Sequence, residues 1–238
     1  MGRKPRIYFS GAIYHITVRG NNKENIFNDE IDNRKYLKII RECQNIYNFL
    51  LYAYILMPNH IHFIIEPSDK ADISKIMHRL STNYAKYFTW KYKKVGHVYQ
   101  SRFFSNIIAK DEYLLNAVRY VLLNPVRAKL VSSPYDWPRS SIHAYLGKDN
   151  NNLKVDTSFV LNILSLDRKE QVSALNEFLF ADMTEKDKEL KQKISTSFFV
   201  GSDSYVNQMN RLFKIGQKKR GRPFKKINGA RHHLLVGV

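Results

Sequence analysis

Residues 51–66 read LYAYILMPNHIHFIIE. Two runs rich in β-branched and aromatic residues, 51–57 and 60–66, are separated only by Pro58-Asn59, and a two-residue break predicts an antiparallel hairpin. Pro-Asn is not the usual pair for the primed turns that favour such hairpins. In the second run the period of two puts His60 and His62 on one face of the strand, with Cα atoms about 6.5–7 Å apart. Ile61, Phe63 and Ile65 then point the other way, into a core.

Outward from the hairpin the chain falls into a short series of elements. Residues 11–18 (GAIYHITV) alternate as a strand and end in the turn signal Gly20-Asn21-Asn22. Residues 29–47 carry Ile31, Leu37, Ile40 and Ile46 at helical spacing. A longer helix is expected over 72–94, with Ile73, Ile76, Met77, Leu80, Tyr84, Tyr87 and Phe88 along one side and Gly96 as its breaker. Residues 98–109 read as extended. Asp111 can cap a helix over 112–123, which must stop near Asn124 because Pro125 disfavours the α conformation in the residue before it.

Strand, helix, strand, strand, helix, strand is the order of an α+β, ferredoxin-like split βαβ domain, an antiparallel sheet with two helices on one face and the other face open for a site. The helix over 112–123 follows as a seventh element. Loop signals at residues 134–138 (PYDWP) and 147–152 place a boundary near 150. Two parts are therefore expected: 1–150 as the main domain and 151–238 as a helical extension, with helices over 156–180, 184–194 and 202–214.

Charge narrows the partner. The 238 residues carry a net +18. The basic excess lies in the first 150 residues and again in 211–226 (RLFKIGQKKRGRPFKK), which has eight cations and no acid. With 15 Tyr and 14 Phe available for stacking, this balance points to nucleic acid rather than a membrane, because no segment forms a clear basic amphipathic helix. No apolar run approaches a membrane span and no signal-peptide core follows Met1, so a cytoplasmic, DNA-associated location is expected. A single cysteine, Cys43, excludes an internal disulfide and any multi-cysteine zinc site.

Two features could carry chemistry. The His60/His62 pair can converge on one cation, or be two ordinary strand histidines. Tyr120 and Asn124 lie four apart, on one face of the helix over 112–123, with Leu114, Leu115, Val118, Val121 and Leu122 to dock it. A tyrosine there can equally be interfacial core, and an asparagine before proline a simple helix stop.

Four stretches together are specific: GAIYHITVRGNN (11–22), LMPNHIHF (56–63), GHVYQSRF (96–103) and RYVLLNPVRA (119–128). In this order the chain resembles the single-tyrosine HUH transposases, and within them the REP-associated tyrosine transposases, over residues 5 to about 147. The resemblance implies that 1–150 is the catalytic domain, that His60, His62 and Asn124 hold a divalent metal, and that Tyr120 is the nucleophile. Two imidazoles and an amide oxygen leave the charge of a metal uncompensated, which suits an open Mg²⁺ or Mn²⁺ site. It further implies cleavage and rejoining of hairpin-bearing, REP-like single-stranded DNA through a covalent 5′-phosphotyrosine, by a monomer or a homodimer. Where the family often has His two residues after the tyrosine, this chain has Leu122. His15 is expected to pack near the metal histidines, as a neighbour rather than a ligand.

Arg19, Arg102, Arg119 and Arg127 are candidate DNA contacts near the site. In the tail, Lys218-Lys219-Arg220-Gly221-Arg222-Pro223 resembles an AT-hook core suited to a narrow minor groove, or is a generic phosphate-binding arm. The alternatives to a transferase are a non-catalytic DNA- or RNA-binding regulator on the same fold, an RRM-type domain, for which no RNP motif is present, and a hydrolase using water.

Overall fold

A computed structural model describes residues 7–148, 153–181 and 185–215. Its first strand, β1 (Ile13–Arg19), leads to α1 (Glu30–Tyr47), the hairpin β2 (Leu50–Met57) and β3 (His60–Glu66), then α2 (Ile73–Tyr92) and β4 (Phe104–Ile108). Strand order across the sheet is β2-β3-β1-β4, all antiparallel, which is the split βαβ arrangement expected. The helices start where the sequence offers caps. Asp29 accepts from Asp32 N in a reciprocal capping box, and Asp72 accepts from Lys75 N.

The tight hairpin at Pro58-Asn59 is held from outside. Neither residue adopts a left-handed conformation, so no primed turn is present. Instead the Pro58 carbonyl accepts from Ile26 N (2.8 Å) and Phe27 N (3.1 Å), and the Asn59 carbonyl accepts from Gly20 N (2.8 Å). Gly20 has to be glycine here, since a Cβ would stand 2.2 Å from the Glu24 carbonyl oxygen. The loop after β1 thus braces the loop that sets up His60.

Alternation along the strands divides the molecule into two cores. Tyr14, Ile16 and Val18 of β1 and Ile61, Phe63 and Ile65 of β3 pack with α1 and α2. Ile13 of β1, Ile64 of β3 and Ile55 and Met57 of β2 face the other side. That side is covered by α3 (Glu112–Leu122) through Leu114, Leu115, Val118, Val121 and Leu122. The split βαβ order alone leaves this face open. In the structure it is closed along most of its length, and the site occupies one end.

After α3 the chain caps at Leu123 and makes a short turn of helix, α4 (Asn124–Arg127), with Pro125 in its first turn, where a missing N–H costs nothing. A brief α5 (Ile142–Tyr145) leads on to α6 (Ser158–Leu164) and α7 (Gln171–Phe180). The single helix expected over 156–180 is broken between these two. There Ser165 is extended, its hydroxyl accepts from Asp167 N (3.1 Å), and the Asp167 carboxylate accepts from Lys169 N (2.9 Å).

Next come α8 (Glu185–Thr196), β5 (Phe199–Val200) and α9 (Asp203–Leu212). Strand β5 was not expected; it adds to the sheet edge parallel to β4. Val160, Leu161, Leu175, Leu179, Leu190 and Ile194 join the second core, so these helices lie on the same sheet as the site. No helix among the described residues is long and apolar enough to cross a membrane.

Candidate active site

His60 and His62 lie at the start of β3, on the face opposite the α1/α2 core. Their rings stand 5.0 Å apart, nearly perpendicular. The Tyr120 ring comes from the last turn of α3 to 5.8 Å from the His62 ring, again edge to face. Asn124, one turn on, donates from Nδ2 to the Tyr120 carbonyl at 3.2 Å, and its side chain also reaches the His60 ring. These four side chains line one cavity of about 540 Å³ together with Thr17, Arg19, Arg102 and Arg127. The two sequence-distant features therefore meet.

Burial sets the protonation of the pair. It lowers His60 to about 4, helped by the cation of Arg19 and opposed by the Asn124 side chain. His62 is driven well below the usual histidine range by burial, then by His15, His60 and Arg19. Both rings are neutral at pH 7, each with one lone-pair nitrogen. His60 Nδ1 lies 2.6 Å from the Asn59 carboxamide oxygen, so Nδ1 carries the proton and Nε2 the lone pair. Burial raises the Tyr120 phenol, while Arg127, Asn124 and Arg19 pull it back down.

The donor set fits a divalent metal: two neutral imidazoles, each anchored at Nδ1, and the amide oxygen of Asn124 beside them. Among the described residues no group of three or more His, Cys, Asp or Glu could hold a metal, so a cation here would depend on Asn124 and on water or phosphate oxygens. That ligand count matches an open site rather than a closed structural one.

The candidate arginines divide. Arg19 and Arg102 are exposed at the cavity mouth. Arg127 also lines it, and in addition donates from Nη1 to the Tyr120 carbonyl (3.0 Å), with its guanidinium 5.1 Å over the Tyr120 ring. Arg119 is a correction. It is 4% exposed, donates to the Ala181 carbonyl and lies over the Phe178 ring at 5.2 Å. One residue along a helix turns the side chain by about 100°, which takes Arg119 off the face of Tyr120 and under α7. Leu122, where the family often has His, is fully buried in the second core. Lys218, Lys219, Arg220 and Arg222 lie outside the described residues.

Sequence reading missed Thr17, Gln100, Ser101, Phe104 and Ile194. Thr17 was within reach, since it sits two residues from His15 on the same strand face. Gln100 and Ser101 arrive because Gly20 bridges to Tyr99 and Gln100 N donates to the Arg19 carbonyl (3.0 Å), a pairing too short to leave a periodic signal.

A strand-borne histidine pair thus faces a helix-borne tyrosine and asparagine on a split βαβ sheet, and residues 8–123 match the family model described as an IS200-like transposase. The chain is 25% identical over 154 residues to a curated REP-associated tyrosine transposase relative from Haemophilus influenzae, an alignment covering 60% of this chain and 86% of that one. It also shares its fold with a solved REP-associated tyrosine transposase bound to a REP hairpin, at a TM-score of 0.52 and 23% identity, over 66% of this chain and 94% of that one.

Proposed function

We propose that this protein cuts and rejoins hairpin-bearing single-stranded DNA, with Tyr120 as nucleophile and His60, His62 and Asn124 as ligands of Mg²⁺ or Mn²⁺. The observation that carries this reading is the convergence of His60, His62, Tyr120 and Asn124 on one cavity rimmed by Arg19 and Arg102. When bound, the metal would supply charge stabilisation at the scissile phosphate. The Tyr120 oxygen attacks phosphorus, giving up its proton, and the bond to the 3′ oxygen breaks. That oxygen leaves as a free 3′-hydroxyl, and the 5′ phosphate stays on Tyr120.

Because a phosphodiester is exchanged for a phosphodiester, the step reverses without ATP when a 3′-hydroxyl attacks the adduct. The resting phenol is protonated at neutral pH, so the cations of Arg127 and Arg19 act on the charge that develops as the proton leaves. A site complete within one chain is supported by the 5.8 Å between the Tyr120 and His62 rings, so a monomer suffices for cleavage. Support for a hairpin partner comes from the similar transposase bound to a REP hairpin.

The test is incubation with end-labelled hairpin-bearing single strands and Mn²⁺, then peptide mapping of any denaturant-resistant adduct. The expected result is DNA on Tyr120, absent with EDTA and absent in Tyr120→Phe, whose hairpin binding persists. Cleavage without an adduct would instead assign a hydrolase, and binding without cleavage a regulator.

A further inference from the structure

The side of His62 away from the cavity is tied to a second histidine. His15 Nε2 lies 3.0 Å from His62 Nδ1, and the two rings stack at 5.2 Å. When two ring nitrogens share one proton, one donates and the other accepts, so the tautomer of His15 decides that of His62. Thr17 Oγ1, 3.1 Å from the same nitrogen, decides nothing, because a hydroxyl can give or take.

Asn106 supplies the missing constraint. Strand pairing sets it opposite His15, and both are buried, at 1% and 0% exposure. Asn106 Nδ2 donates to the Ile194 carbonyl of α8 at 2.7 Å, which fixes which end of the amide is oxygen. The two atoms left over at this cross-strand pair, Asn106 Oδ1 and His15 Nδ1, are buried with no partner at hydrogen-bond geometry. They are complementary only if His15 carries its proton on Nδ1, since two facing acceptors would both stay unsatisfied.

We propose that Asn106 is a positioning residue for His62. Its carbonyl oxygen accepts from His15 Nδ1–H, His15 Nε2 then accepts from His62 Nδ1–H, and His62 Nε2 keeps the lone pair that a metal requires. The inference rests on the reading of His62 as a ligand. It also gives the C-terminal part of the chain a role in the site, because Ile194 lies beyond the residues matched by the transposase family model.

The experiment reads histidine tautomers directly, by long-range ¹H–¹⁵N NMR on the full-length, metal-free protein, followed by Mn²⁺ titration. In the unmodified chain His15 and His62 should both be protonated on Nδ1. Asn106→Leu should mix the tautomers of both rings and weaken Mn²⁺ binding by about 10–100-fold. His15→Gln, whose amide oxygen can still accept from His62, should lose less affinity than His15→Leu.

A proton on His62 Nε2 in the unmodified protein, or unchanged tautomers in a folded Asn106→Leu, overturns the proposal. The first reading needs no variant, so it holds even if Asn106→Leu does not fold. Correct tautomers in a protein that binds no Mn²⁺ would uphold the relay and sink the metal site, which separates the two failures.

Discussion

Arg127 holds Tyr120 at two points: its Nη1 donates to the Tyr120 carbonyl at 3.0 Å, and its guanidinium carbon lies 5.1 Å from the centre of the Tyr120 ring. Asn124 donates to the same carbonyl at 3.2 Å. The end of α3 is thus pinned by the two polar residues of the short helix that follows it. Arg127→Lys keeps a cation but loses the planar fork that makes both contacts at once. It should lower the rate of adduct formation by about 10–100-fold, the scale expected when a reacting group is misplaced by about 1 Å. Hairpin affinity should fall much less. Equal losses of affinity and rate, measured by filter binding and single-turnover cleavage, would mean that Arg127 acts only as a phosphate contact.

Arg119 and Arg102 should separate cleanly. Arg119 is buried against Phe178 and bonded to the Ala181 carbonyl, so Arg119→Ala should cost about 2 kcal/mol of stability in a urea melt, as for a charge-assisted hydrogen bond, and leave the salt dependence of hairpin binding unchanged. Arg102 is exposed at the cavity mouth. Arg102→Ala should leave the melt unchanged and reduce the slope of log affinity against log salt by about one phosphate contact. The reverse pattern would put Arg119 on the DNA.

These assignments show which parts of the fold the sequence made legible. The hairpin and the shared face of His60 and His62 follow from strand alternation, and the long helices from their apolar spacing and aspartate caps. Tyr120 and Asn124 were placed together by the four-residue repeat of a helix. What failed was information held in tertiary contacts. Arg119 sits in a matching stretch beside Tyr120, yet its direction depends on where α7 packs. Two-residue β5 is too short to carry a period, and the Ser165–Lys169 break is a local hydrogen-bond pattern inside an apolar run. The facing of His15 and Asn106 depends on a register between strands 91 residues apart.

The tail supplies a prediction from sequence alone. Residues 216–226 hold six of the chain's cations and no acid. Deleting them should reduce the salt slope of DNA binding while leaving the adduct on Tyr120 intact at low salt. If Arg220 and Arg222 read a narrow minor groove, the loss will be larger for hairpins with A·T-rich stems than for G·C-rich ones. An equal loss on both stems assigns a generic phosphate-binding arm, and an unchanged slope removes the tail from the DNA.

The buried histidines make the fold itself sensitive to acid. Burial lowers both His15 and His60 from 6.5 to about 4, with His62 well below its ordinary value, so the native state keeps all three neutral where the unfolded chain takes up protons near 6.5. As pH falls from about 6.5 toward 4, the unfolded state binds protons that the native state refuses, and stability is lost over that window. For fully buried His15 alone the shift corresponds to on the order of 3 kcal/mol. The metal-free protein should therefore melt progressively lower from pH 7 to pH 5, and His15→Gln should flatten that dependence even if it lowers the melting temperature at pH 7. A melting temperature independent of pH over this range, or an equally steep dependence in His15→Gln, would mean that His15 titrates normally and is not held neutral inside the sheet.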